Sequence, residues 1–211
     1  MTVPRKTPYV WTTWITKLLA QENHCVWASW FQAHYQQYKK VPRDLEQWVA
    51  EHSQMVEELA AALRADGYAV DVEDKNSFKV PNKNGVTLSG KPDLVAVRDG
   101  HVIVIDCKTG QRRASDEQQV LIYMRMLPLY FQQYQRLEIT GRVQYRDGQV
   151  DLGPEKLDTQ FDTNLSHIMK CVTGAAVPVR TPSLQECCSC NLTQNDCPDR
   201  MEPPAVEHDL F

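Results

Sequence analysis

The stretch Lys91-Pro-Asp93-Leu-Val-Ala-Val-Arg98-Asp-Gly-His101-Val-Ile-Val-Ile-Asp106-Cys-Lys108 decides how this chain folds. Asp-Gly between two β-rich runs is a strong signal for a two-residue hairpin turn. With Asp99 and Gly100 as the turn, Arg98 faces His101 and the register is fixed outward from there. Val97 then faces Val102, Val95 faces Val104, and Asp93 faces Asp106. Directly opposed Cβ atoms sit roughly 4.5–5.5 Å apart, and like charges at that spacing repel. Apolar neighbours strip water from both carboxylates and worsen the conflict. A divalent cation between them removes it, and oxygen donors of this kind suit magnesium or manganese. Lys108 lies two residues beyond Asp106, so the strand period puts it on the same face. A lysine there can position or polarise a water, or stabilise charge developing on a phosphate. Cys107 points the other way, with Ile103 and Ile105, into packing. A surface hairpin with solvated charges is the plainer alternative, and the apolar residues on both faces argue against it.

Upstream of the hairpin, residues 44–66 carry helical spacing, with Leu45, Trp48, Val49, Val56, Leu59, Ala60 and Leu63 as the apolar set. Pro42-Arg-Asp44 reads as the start of this helix and Gly67 as its C-cap. Residues 10–40 are rich in aromatics and read as one or two helices. Residues 68–72, 78–80 and 86–88 read as strands. Downstream, 115–130 reads as a helix with Asp116 and Glu117 in its first turn, where negative charge suits the helix dipole. Residues 137–145 alternate like a strand, turn at Asp147-Gly148 and return through Val150 and Leu152. Gly153-Pro154 opens a further helix to about Cys171, and prolines and cysteines fill the rest. Helices, strands, helix, strands, helix and a cysteine tail in that order predict an α/β (α+β) fold with a mixed central sheet. The expected organisation is one domain over 1–211, with a helical region at 1–66, a core at 67–172 and a cysteine-rich tail at 173–211 packing with the Cys25 region.

At 211 residues with 42% hydrophobic content, the chain is long enough for a sizeable core. The net charge of −4 argues against a protein that binds nucleic acid with its whole surface, but not against a local basic groove. No apolar run is long enough to cross a membrane, and Met1-Thr-Val-Pro-Arg-Lys leads into no signal-peptide core. A cytoplasmic location is therefore expected. Seven cysteines in such a compartment are not a disulfide framework. Cys187-x-x-Cys190-x6-Cys197 has ligand spacing, with Cys188 or the distant Cys25 as the fourth donor. Four thiolates suit an iron–sulfur cluster and suit tetrahedral zinc as well.

Pro92-Asp93, twelve residues, then Asp106-Cys107-Lys108 resembles the motif of the PD-(D/E)XK nucleases. Gln119-Val-Leu-Ile-Tyr123, on the helix after the active-site strand, resembles the Q-x-x-x-Y motif of the RecB-like branch. Cys25-Val-Trp-Ala-Ser-Trp-Phe resembles the first-cysteine segment of iron–sulfur members of that branch, including CRISPR-associated exonucleases of the fourth Cas family. The resemblance implies a restriction-endonuclease-like core with an iron–sulfur subdomain. It implies Asp93, Asp106, Lys108, Gln119 and Tyr123 as catalytic residues. It implies His52, Asp93, Asp106 and the Cys107 backbone carbonyl as ligands of Mg2+ or Mn2+, and Cys25, Cys187, Cys190 and Cys197 as ligands of a 4Fe-4S cluster. Cys188 in place of Cys187 stays open. The chain has Asp106 where glutamate is commoner, which shortens the ligand by one methylene.

The implied partner is DNA, single-stranded or frayed and cut as an exonuclease, with CRISPR integration proteins or a helicase as protein partners and no membrane. Lys108, Arg112, Arg113 and Arg125 are candidate phosphate contacts, and the N-terminal aromatics are candidate stacking surfaces for bases. A non-catalytic DNA-binding or assembly subunit and a zinc-stapled interaction protein are the rival classes.

Overall fold

The computed structural model describes residues 2–204. Its strands are β1 (Val3–Pro4), β2 (Tyr9–Trp11), β3 (Tyr35–Gln36), β4 (Ala69–Val72), β5 (Phe78–Pro81), β6 (Thr87–Gly90), β7 (Leu94–Arg98), β8 (His101–Lys108), β9 (Glu138–Tyr145) and β10 (Gly148–Leu152). Its helices are α1 (Thr16–Leu19), α2 (Val26–His34), α3 (Glu46–Ala65), α4 (Ala114–Tyr130), α5 (Thr159–Thr173) and α6 (Leu184–Ser189). The main sheet runs β10-β9-β8-β7-β4. β8 and β9 are parallel and the other neighbours antiparallel, so the sheet is mixed as expected. A smaller sheet, β2-β6-β5, stands beside it.

The hairpin register is the one the Asp-Gly turn dictates: Arg98 pairs with His101, Val95 with Val104 and Leu94 with Ile105. Asp99 and Gly100 both have positive φ, 50° and 80°, the geometry that matches the twist of the flanking strands. The two faces of the sheet build two cores. Val95, Val102 and Val104 pack under α4 together with Val120 and Met124. Leu94, Ala96, Ile103, Ile105 and Cys107 pack under α3 against Val56, Ala60 and Leu63. Cys107 is thus a core residue on the face opposite α4, as its parity requires.

Helix α3 ends in a Schellman motif: the Tyr68 N–H reaches the Leu63 carbonyl and the Gly67 N–H reaches that of Arg64. Gly67 sits at φ +85°, just past the last helical turn. The other end departs from expectation. Leu45, Trp48 and Val49 are about half exposed, because this part of the helix runs beyond the sheet that buries Val56, Ala60 and Leu63. Helix α4 lies close on β9 at Gly141, where a Cβ would collide with Val120 and Met124.

Three other readings are corrected. The β9–β10 turn is Arg146-Asp147, since Gly148 already pairs with Tyr145. Gly148 serves the position after the turn, at φ +151°. The helix read as opening at Gly153-Pro154 is a separate 3-10 turn over Pro154–Lys156, and α5 starts later, capped by the Asp158 carboxylate accepting from the Phe161 N–H at 2.7 Å. Of the N-terminal aromatics, Trp27, Trp30 and Phe31 are core: they are buried and cluster with Leu192 and Cys197, so these three offer no face to a base, whereas Trp11, Trp14, Tyr35 and Tyr38 are partly exposed.

Candidate active site

Asp93 lies one residue before β7, where the strand ladder has just ended at Leu94–Ile105. Its Oδ2 accepts the Cys107 N–H at 2.7 Å, so the carboxylate takes over where backbone pairing stops. The same oxygen lies 3.2 Å from His52 Nε2 on α3. This bond favours the imidazolium form and raises the His52 pKa above its ordinary value, against the opposing effect of burial.

Asp106 is almost fully buried, and burial pushes its carboxyl up to about 6 even with the Lys108 ammonium beside it. Its Oδ1 accepts from Gln119 Nε2 at 2.8 Å. Lys108 Nζ stands 2.6 Å from its Oδ2, and burial of the ammonium is outweighed by this carboxylate, so the lysine pKa is raised overall. Lys108 also donates to Gln119 Oε1 at 3.0 Å, and Gln119 Nε2 donates to Tyr123 Oη at 2.9 Å. Gln119 and Tyr123, one helical turn apart on α4, therefore lock Asp106 and Lys108 from above. The Tyr123 phenol is pushed well upward by burial and stays neutral. Its ring has room only because residue 90 is glycine: a Cβ there would lie 2.6 Å from Tyr123 Cε1. Sequence reasoning gave Gly90 no role, since its requirement is a contact across space.

The structure thus brings His52, Asp93, Asp106, Lys108, Gln119 and Tyr123 into one connected site. Among the described residues, no three His, Cys, Asp or Glu side chains are drawn tightly enough together to form a finished metal shell. The residues nevertheless fit a hard divalent ion. They supply carboxylate oxygens and an imidazole, and the buried Asp106 carboxyl feels the like charge of Asp93 beside it.

Of the basic residues, Arg112 pairs with Asp147 at 3.0 Å and lies over the Tyr145 ring. Arg125 is committed to Asp162 on α5, so it ties two helices together instead of serving the site. The Arg113 side chain forms no ion pair among the described residues. Trp48 was read as helix core, yet it stacks on His52 with ring centroids 5.1 Å apart.

Cys25, Cys187, Cys190 and Cys197 line one cavity of about 280 Å³, and Cys188 is exposed outside it. None of the seven cysteines is in a disulfide. The Glu186 carboxylate accepts from the backbone N–H groups of His24 and Cys25 at 2.8 and 3.1 Å, which ties α6 to the start of α2. Backbone N–H groups point at sulfur twice, Met201 to Cys187 at 3.4 Å and Leu192 to Cys190 at 3.5 Å. Burial pushes the Cys190 and Cys197 thiols up. The four sulfurs share the cavity but are not drawn together into a metal shell, while thiols with amide N–H groups aimed at sulfur are the donor type a soft metal or cluster takes.

A family model of the PD-(D/E)XK nuclease superfamily matches residues 14–193. No curated protein matches the sequence. Among solved structures, one titled "Crystal structure of SSO0001" is similar at 15% identity and a TM-score of 0.49, covering 93% of this chain and 89% of that one. A likeness at that level carries no argument about this chain. No helix among the described residues is long and apolar enough to cross a membrane.

Proposed function

Because the chain belongs to the PD-(D/E)XK nuclease superfamily, we propose that it is a metal-dependent DNA nuclease that hydrolyses phosphodiester bonds. The observation that carries this reading is the pairing of two desolvated carboxylates with a lysine that Gln119 and Asp106 hold between them. A binding module has no use for two desolvated carboxylates held beside a partly buried lysine, because taking such charges out of water is costly.

Asp93, Asp106, His52 and the Cys107 carbonyl would hold Mg2+ or Mn2+. When bound, the ion acidifies water and neutralises charge on the phosphate. Lys108, kept ammonium by Asp106, offers a donor to the attacking water or to a phosphate oxygen. Gln119 fixes the direction of both Asp106 and Lys108, and neutral Tyr123 fixes Gln119. By family resemblance the substrate is single-stranded DNA or a frayed end, cut exonucleolytically, in CRISPR spacer acquisition or repair with an integration protein or helicase. The same resemblance, supported by the shared cavity and the N–H to sulfur contacts, assigns Cys25, Cys187, Cys190 and Cys197 to a 4Fe-4S cluster that staples the tail to α2. We read the chain as one domain with the boundaries expected above.

The test is anaerobic purification followed by incubation with end-labelled single-stranded DNA and Mn2+. Degradation by the wild type is expected, and the product ladder gives polarity. No degradation by folded, metal-loaded protein that still binds the DNA would move the chain to the non-catalytic DNA-binding class.

A further inference from the structure

Trp48 is the largest exposed side chain next to the site, half exposed on the part of α3 that outruns the sheet. A tryptophan is normally removed from water, and Leu45 and Val49 on the same exposed turn are also half uncovered. Its indole lies nearly parallel to the His52 ring, with an interplanar angle of 24°, and His52 in turn touches Asp93. One ring face therefore abuts the catalytic carboxylates through His52.

Beside it opens a small pocket of about 200 Å³, whose lining includes Trp48, Lys108, Thr109, Gln111, Arg113 and Asp116, the last with its carboxylate accepting from the Arg113 N–H and the Tyr145 hydroxyl. Thr109 lines the same pocket, and its Oγ1 has no hydrogen-bond partner among the described residues. Arg113, without an ion pair among the described residues, leaves a guanidinium free beside it.

We propose that this pocket is a nucleotide subsite, in which Trp48 stacks one base of a single strand while Thr109 and Arg113 hold the phosphate next to the one being cut. The inference rests on the nuclease reading and adds to it the placement of the strand. An aromatic face accepts any base, so the subsite gives affinity without sequence preference. It also favours unpaired DNA, because a base in a duplex is stacked on its neighbours and has no free face. Trp48 is here a binding and positioning residue, apart from the groups that touch the scissile phosphate.

The test uses full-length protein with Ca2+ in place of Mn2+ and a fluorescein-labelled oligothymidine, read by anisotropy. Trp48→Ala should weaken binding about 5- to 100-fold, and Trp48→Phe should restore most of it. A set of oligonucleotides with one abasic site moved along the strand separates stacking from mere support of His52. Wild type should lose affinity sharply at one position, and Trp48→Ala should be indifferent to that position. Unchanged affinity in Trp48→Ala, or an abasic profile identical in both proteins, overturns the subsite. So does a change in oligomeric state alone, which would give the patch to a second copy of the chain. Mn2+ cleavage by the same wild-type preparation is read beside it. Cleavage with Trp48-independent binding sinks the subsite and keeps the nuclease, whereas Trp48-dependent binding without cleavage does the reverse.

Discussion

Asp93, Asp106 and Lys108 are held by one hairpin, whereas Cys25 must be brought to Cys187, Cys190 and Cys197 from the other end of the chain. In the first case backbone register sets the geometry, and α4 adds a lock through Gln119. In the second, the Glu186 carboxylate, Arg43 on the Ser189 and Cys190 carbonyls, the Lys40–Leu192 bridge and a small aromatic cluster do the joining. The difference predicts how each site responds to loss of what it binds. A register-held site should keep its shape without its ion. A cavity between distant segments draws much of its order from the ligand, because binding free energy there is folding free energy.

The sharpest break of this contrast is Asp106→Ala. Activity on single-stranded DNA with Mn2+ should fall by about 10³-fold or more, since an ion ligand worth several kcal/mol of transition-state stabilisation is gone. Circular dichroism and bound iron should match wild type, measured on the same sample. Loss of iron along with activity would mean that the two sites are not independent.

The converse is Cys25→Ser. Iron and the brown absorbance should disappear, and the melting temperature should drop by roughly 5 °C or more. Proteolysis should then cut the segment after Gly174 first, because Trp30 Nε1 anchors that carbonyl at 2.8 Å and sits in the aromatic cluster beside the cavity. Retention of iron by this variant would remove Cys25 from the ligand set.

A subtler comparison uses pH. The Asp106 carboxyl, raised by burial from 3.8 to about 6, holds its proton more tightly in the folded state than in the unfolded one. Its stabilising contribution is therefore complete below pH 3.8 and is lost as pH rises to about 6, by roughly 2–3 kcal/mol. His52, raised by its bond to Asp93, works in the same sense but loses its contribution at higher pH, above 6.5. Other carboxylates favour the opposite trend, so the effect is read as the difference between wild type and Asp106→Asn in metal-free denaturant titrations. Mn2+ takes the place of the proton and should therefore raise the wild-type melting temperature more at pH 7.5 than at pH 5. Equal increments at both values would show that the ion does not bind at Asp106.

What could be seen in advance follows from the range of the forces involved. The Asp99-Gly100 turn is local, and it fixed the pairing and the shared face of Asp106 and Lys108. The mixed sheet and α4 were likewise legible as periods of two and of 3.6 residues. The exposure of Trp48 was not, because an apolar stripe says which residues share a face but not where the opposing sheet stops. Gly90 and Gly141 also escaped notice, since each answers to a side chain far along the chain. The Glu186 tie to Cys25 joins residues more than 160 positions apart and leaves no periodic trace.

The smallest expected effect gives the finest test of the cysteine side of the comparison. Cys188 is adjacent to Cys187, and composition alone offers both as ligands. In the structure Cys187 is buried and lines the cavity, while Cys188, one residue on in α6, turns outward to solvent. A helix separates neighbouring side chains by about 100°, so the two cannot face the same centre. Cys188→Ser should therefore leave iron content unchanged and shift stability by no more than about 0.5 kcal/mol. Cys187→Ser should strip the cluster as Cys25→Ser does. If the results are exchanged, α6 must rotate when the cluster binds, and the tail owes even its helical register to the ligand.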